Sequence, residues 1–398
     1  VAARGLMAME PAGMTDLFDP TRYDGVRRPL LDAEGLPPAC YTDPLFYRAE
    51  LERVFYRGWH MIGRLDQIAE PGDYLNAAVG EVGLIAVRGR DGVARAFVNA
   101  CRHRGTPLIE GSGSCAAFRC PYHSWTYALD GSLKGAAGME QTRGFDMAAH
   151  GLLPLRLEEW GGFLFVAVDP ATRPLSSWLG ELPGRLAHYR FEDMVATRVY
   201  RYTVACNWKL WVENFMEGYH IATVHRSTIS KQKVVNMPED PGGGEFVSIY
   251  ERHEGTRALL AGDVGFPPIE SLTGDSAAGS RFILIYPATM LAIAIDTAWS
   301  LVCDPLGPDS TRVTVTSCFP RQRLERADFA ELAANYYKRL DITLPEDNEI
   351  CALQQTGLRS PLCRAGRFSD KEKIVHAFDN WILDRVIGPA SRATAAAD

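Results

Sequence analysis

The chain has 398 residues, 46% hydrophobic and 23% charged, with a formal net charge of −7; this allows two domains with a core each and excludes an unusually basic protein. The acidic balance argues against nucleic acid or an anionic membrane surface as a partner. No apolar run reaches the roughly 20 residues that span a bilayer, and the first residues, VAARGLMAMEPAGM, lack the pattern of a secretion signal, so a cytoplasmic location is expected.

Residues 1–56 read as an irregular Pro- and Gly-rich arm followed by a helix over 44–56, with Phe46, Leu51 and Phe55 on one face. Short β-branched runs follow at 74–79, 83–87 and 94–98. Arg90-Asp91-Gly92 supplies a hairpin turn between the last two, Asp130-Gly131 a further turn, and 162–168 another strand. Residues 57–168 therefore form a small all-β unit. Residues 169–398 mix helices with long strands and make the whole chain α+β. Helices are predicted over 178–189, 208–223, 327–340 and 345–356, and antiparallel strands over 246–250, 282–286, 290–295, 299–303 and 312–318. The glycines after Pro241 are candidates for a mobile entrance. A last helix opens with Ser369 as N-cap and Glu372 three residues on, buries Ile374, Phe378, Trp381 and Ile382, and gives way at Gly388 to a disordered tail.

Nine cysteines, an odd number, point to reduced thiols rather than a disulfide framework. Seven of them read as small buried apolar side chains. Cys101 and Cys120 differ, because CRHRGTPLIEGSGSCAAFRCPYHSW pairs Cys101 with His103 and Cys120 with His123 in two tight loops. Two thiolates and two imidazoles suit a Rieske [2Fe–2S] centre, in which two Cys hold one iron and two His the other. A tetrahedral zinc site is the alternative. Trp125 is placed to pack over the bound group.

A second cluster lies in CNWKLWVENFMEGYHIATVHRST. His220 and His225 are five apart, which on a regular helix points them about 140° apart. They share a metal only if the helix ends or bulges between them, as the weak helix segment Ala222-Thr223-Val224 permits. Two His call for one carboxylate to complete the facial triad that leaves open positions on Fe(II). Asp347, at the start of a predicted helix and on the face of Cys351 and Gln354, is the candidate; a first-turn Asp serving the helix dipole looks the same. Glu213, Glu217 and His220 fall on one helical stripe, so Glu217 is placed to accept the His220 ring N–H.

These residues together resemble the Rieske non-heme iron oxygenases, the large subunits of ring-hydroxylating and related oxygenases. The likeness rests on Cys101-x-His103, Cys120-x-x-His123, Asn207-Trp208-Lys209, Glu213-Asn214, Tyr219-His220, His225 and Asp347, in family order. It implies a Rieske domain, a helix-grip catalytic domain and a mononuclear Fe(II) that uses O2. It also implies a head-to-tail homotrimer in which residue 217 bridges His220 to His123 of a neighbouring protomer, with Asn214 beside Glu217 in the catalytic set. Many members have Asp where this chain has Glu217, and some carnitine and betaine oxygenases share the Glu.

No Gly-rich dinucleotide fingerprint is present, so an NADH-dependent flavin reductase, and a ferredoxin where one is used, are separate partners. Hydroxylation of an aromatic ring is the family's broad expectation for the small-molecule substrate; mono-oxygenation or demethylation of a quaternary ammonium compound is the alternative. The latter needs an aromatic cage, for which Phe215, Tyr219, Tyr286 and Trp299 are candidates. Two readings from other classes remain: a Rieske electron carrier without mononuclear iron, and a zinc-stabilised binding protein.

Overall fold

The computed structural model describes residues 17–230, 232–237 and 242–389, so residues 1–16, Pro241 and most of the predicted tail lie outside the described residues. The first sheet uses β1 (Trp59–Arg64), β2 (Asp73–Val79), β3 (Val82–Arg88), β4 (Ala94–Val98), β5 (Ser112–Ser114), β9 (Pro154–Trp160) and β10 (Phe163–Ala167), in the order β1-β10-β9-β4-β3-β2-β5, all antiparallel. A small three-stranded sheet of β6 (Phe118–Arg119), β7 (Thr126–Tyr127) and β8 (Leu133–Gly135) sits beside it. The second large sheet runs β11-β17-β16-β15-β14-β13-β12, built from β11 (Met194–Val204), β12 (Val235–Met237), β13 (Phe246–Arg252), β14 (Gly279–Ile285), β15 (Thr289–Ile293), β16 (Ala298–Gly307) and β17 (Ser310–Pro320). This is the predicted α+β combination of an all-β unit and a mixed one with an antiparallel sheet.

Several elements differ from expectation. The strands β1, β9 and β11 were not anticipated. β11 reads MVATRVYRYTV, whose alternation carries the strand period, and it pairs with β17 over its whole length. The helix expected over 178–189 is broken into Leu175–Leu179 and Leu182–Leu186. Gly180 between them has φ +53°, and a Cβ there would lie 1.7 Å from the Gly243 carbonyl oxygen, so only glycine fits. The glycines proposed as an entrance therefore pack against this turn, with Glu181 N–H donating to Gly243 O at 2.9 Å.

The two helices expected over 327–340 and 345–356 are one helix, Phe329–Leu358, that runs through Pro345. A proline inside a helix costs about 3 kcal/mol. Packing offsets it: Tyr336, Leu340, Leu344 and Cys351 are buried, and Tyr336 stands edge-on to Phe319 of β17 at 5.2 Å. The last helix begins at Lys373 rather than beside Ser369, although Glu372 does reach back to the Ser369 N–H at 2.8 Å. Of the seven cysteines expected to be buried, Cys115 and Cys363 are only partly so.

The N-terminal arm and the helix Pro44–Arg53 are anchored to the helix Trp208–Phe215 by a fully buried ion pair. Lys209 Nζ donates to Glu50 Oε1 (2.7 Å), Cys40 O (2.7 Å) and Asn207 Oδ1 (2.8 Å). All three ammonium donors are used, which is what makes burial of the charge tolerable. Arg64 at the end of β1 donates to the Phe191 and Met194 carbonyls (2.9 and 2.6 Å), and Asp66 accepts the Ala196 N–H (2.8 Å), tying the first sheet to the second.

Candidate cluster loops and metal centre

The two Cys/His loops are hairpin-like turns closed by their own backbone. In the first, Cys101 N–H donates to Thr106 O (2.9 Å) and Gly105 N–H to Cys101 O (2.8 Å). In the second, Cys120 N–H donates to Trp125 O (2.8 Å) and Ser124 N–H to Cys120 O (3.0 Å), with Ser124 in the left-handed region at φ +61°. The thiols are buried and the imidazoles partly exposed. His103 Nδ1 and His123 Nδ1 face each other at 3.1 Å. Trp125 stacks on the His103 ring at 4.9 Å. The Tyr127 hydroxyl lies 3.3 Å from Cys101 Sγ; burial, then that thiol, holds the phenol protonated and able to donate to sulfur. Two thiols on the inner side and two nitrogens on the outer side, one of each per loop, match a cluster with one Cys-held and one His-held iron.

The metal segment folds differently from the single helix expected over 208–223. The helix Trp208–Phe215 is capped by the Asn207 side chain and ends at Met216. One further turn, Ile221–Val224, is flanked by His220 and His225. The break thus precedes His220. Glu217 causes it: its Oε2 accepts the backbone N–H groups of Tyr219 and His220, capping the new turn, while its Oε1 lies 2.6 Å from His220 Nδ1. The predicted contact to His220 is present. The predicted stripe is not, because Glu213 turns away to Tyr41 Oη (2.9 Å) and the buried Asp379.

Asp347 lies mid-helix, not in a first turn, so the helix-dipole explanation does not apply to it. Its Oδ1 is 3.0 Å from His225 Nε2 and 3.6 Å from His220 Nε2, and it accepts Asn214 Nδ2 at 2.9 Å. His220, His225 and Asp347 each offer one atom within 4.8 Å of the others. The opposite ring nitrogens are both held by carboxylates: Glu217 holds His220, and Glu346 holds His225 at 2.6 Å. Thr228 Oγ1 donates to the same Glu346 oxygen at 3.0 Å. Such carboxylates fix the tautomer and aim Nε2 at a metal. Burial opposes a charged His225, but Asp347 and Glu346 outweigh it, and its pKa lies above the usual histidine value. Two imidazoles and one carboxylate on one side fit the facial triad of Fe(II).

A cavity of about 380 Å³ opens beside these three side chains. Trp211, Phe215 and Phe282 line it, with Phe215 and Phe282 edge-to-face at 5.8 Å. Of the four expected wall aromatics, Phe215 and Trp299 line the cavity. Tyr219 is exposed, and Tyr286 is buried elsewhere, stacked on Trp381 at 4.3 Å. Sequence reading missed Glu346, Trp211, Phe282, Arg257 and Arg339. Only Glu346 had a local signal, its position next to Asp347.

Residues 58–146 match the Rieske [2Fe-2S] domain family, and residues 191–388 match the catalytic domain of the ring hydroxylating alpha subunit. The chain is 32% identical to the chloroplastic choline monooxygenase of Arabidopsis thaliana, covering 91% of this chain and 83% of that protein. It is 29% identical to the glycine betaine monooxygenase oxygenase subunit of Chromohalobacter salexigens, covering 89% and 86%. A solved quaternary ammonium Rieske monooxygenase in complex with L-carnitine superposes with a TM-score of 0.73 at 24% identity, covering 89% and 96%. A two-domain match of this kind leaves no room for the zinc-stabilised binder or the cluster-only carrier. The chain belongs to the Rieske non-heme iron oxygenases as an alpha subunit, the terminal, oxygen-incorporating component, which carries a Rieske [2Fe–2S] cluster and a mononuclear iron and works with a reductase in a multimeric assembly.

Proposed function

We propose that this oxygenase inserts one oxygen atom of O2 into a quaternary ammonium compound. The observation that carries the reading is the aromatic-walled cavity beside the His220–His225–Asp347 cluster, taken together with relatives named for choline and glycine betaine. Aromatic faces attract an alkylammonium that cannot hydrogen-bond, at roughly 0.5–2 kcal/mol per contact. The aromatic-ring reading ranks second, since the same walls would accept a flat hydrocarbon.

In this proposal Cys101 and Cys120 hold one cluster iron, His103 and His123 the other, and His220, His225 and Asp347 hold the mononuclear iron. That iron, when bound, supplies the site at which O2 is reduced. The chain's own residues do the rest. Glu217 and Glu346 accept the Nδ1 protons and keep both rings aimed. Asn214 holds the Asp347 oxygen and narrows its choice of orientation. The apolar wall excludes water around the reacting C–H bond. Two electrons from NADH, passed by the reductase, and two protons balance release of the second oxygen atom as water.

A head-to-tail trimer is part of the same proposal. His123 and Glu217 are partly exposed, and each has a neighbouring tyrosine, Tyr122 or Tyr219, with 55% of its surface open. A second copy docked there would bring cluster and iron together across the interface. The test is turnover with an NADH-dependent reductase, offering choline, glycine betaine, carnitine and naphthalene. An oxygenated ammonium product in step with NADH use is expected. Conversion of naphthalene to a diol, with every ammonium compound untouched, would restore the ring-hydroxylase reading.

A further inference from the structure

Arg339 lies two helical turns before Asp347 on the helix Phe329–Leu358, about 12 Å away along the axis. It lines the same cavity as the His220–His225–Asp347 cluster and is 7% exposed. Among the described residues its side chain has no carboxylate within ion-pair distance, and its Nε has no hydrogen-bond partner. The guanidinium lies over the Trp299 ring at 5.2 Å. That contact covers one face of the group and leaves the N–H donors in its plane unanswered.

The neighbouring groups do not answer them. Arg257, which lines the same cavity, is already paired with Glu251, and its Nε donates to Gln232 Oε1 at 3.2 Å. Asp347 attracts Arg339, but its Oδ1 is engaged by His225 and Asn214. Burial and then the charge of Arg257 push the Arg339 pKa down to about 10, which still leaves a cation at neutral pH. Lys371 and Lys373 add further positive charge to the lining. A buried, unpaired guanidinium is costly unless an anion completes it, and its planar fork suits a carboxylate.

We propose that Arg339 is the carboxylate-binding residue of the substrate cavity, so that the substrate is a zwitterion carrying an ammonium group and a carboxylate rather than a simple cationic alcohol. This rests on the quaternary ammonium reading above and narrows it. The ammonium end meets the aromatic wall of Phe215, Phe282 and Trp211, and the carboxylate end meets Arg339. A compound with a hydroxyl in place of the carboxylate leaves Arg339 buried and unpaired, so the site rejects it by more than the lost contact. Choline and glycine betaine, the compounds for which two of the relatives are named, differ in this respect: the first carries a hydroxyl where the second carries a carboxylate.

Equilibrium binding to the iron-loaded, cluster-containing protein without O2 or reductant tests this apart from turnover. Isothermal titration would use carnitine, glycine betaine, choline and benzoate. At least one zwitterion is expected to bind about tenfold or more tightly than choline. Arg339→Gln should weaken that zwitterion roughly 10- to 100-fold, as for a lost charged hydrogen bond, and bind choline as tightly as before or more tightly, because the unpaired charge that rejects it is gone. Arg339→Lys should recover part of the loss. Choline binding as tightly as both zwitterions to the unaltered protein overturns the carboxylate site and leaves the ammonium reading standing; that comparison needs no variant to fold. Equal weakening of choline and zwitterion by Arg339→Gln overturns it too. Benzoate bound through Arg339, with no ammonium compound bound, overturns the ammonium reading and keeps an anion site. Absence of all binding overturns both.

Discussion

The cluster loops occupy one short stretch, 101–125, and their shape comes from backbone hydrogen bonds inside each loop. The proposed iron site instead joins a turn carrying His220 and His225 to a helix far along the chain, and side-chain carboxylates set its geometry. A site closed by its own backbone is a local property that neighbouring residues can specify. A site closed by Glu217, Glu346 and Asn214 depends on the packing that brings them together. The difference teaches where each proposed site is vulnerable: the cluster loops to changes in Cys101, His103, Cys120 and His123 themselves, the His220–His225–Asp347 site also to changes in the carboxylates that hold its side chains.

Cys120→Ser and Asp347→Asn should separate the halves most sharply. The first is expected to bleach the visible cluster spectrum while mononuclear iron stays bound. The second should keep the colour and lose that iron. Each should lower turnover about a thousandfold or more, because electrons and O2 must meet. Parallel loss of both metals in either variant, read by absorption and iron analysis, would show that the halves do not load independently.

The two supporting carboxylates sharpen the comparison further. Glu346→Gln should weaken iron retention about 10- to 100-fold, with activity recovered by added Fe(II). Glu217→Gln should also lower turnover by about 100-fold or more, and added Fe(II) should not restore it, since Glu217 additionally caps the turn and faces the proposed interface. Identical rescue of the two variants would remove any special role for Glu217.

The smallest effect concerns pH. Burial raises the Glu213 carboxyl from its ordinary value to about 7. A raised carboxyl favours the folded state below the unfolded value and loses that contribution as pH rises through the folded one. Stability should therefore fall between about pH 5 and about pH 8, by roughly 1–3 kcal/mol. Asp379, in contact with Glu213, is pushed up by burial as well and titrates with it, so Glu213→Gln should reduce that slope in thermal melts and leave the cluster absorbance unchanged. An unaltered slope would place the titration elsewhere.

The sequence by itself pointed to the two Cys/His loops, to the order of an all-β unit before a mixed one, and to His220, His225 and Asp347 as the residues proposed here for the iron. Periodicity and ligand spacing report on neighbours along the chain, and those features are local. It misjudged the helices at the proposed iron site. Nothing local revealed that Pro345 would be carried inside a continuous helix, or that Glu217 would end one helix early by capping the next turn. Tertiary structure decided the rest. Glu346, Phe282 and Arg339 gain their meaning only when the helix Phe329–Leu358 packs across the sheet. A buried charge is informative only once its surroundings are known, because the same arginine on an exposed helix face would simply be hydrated.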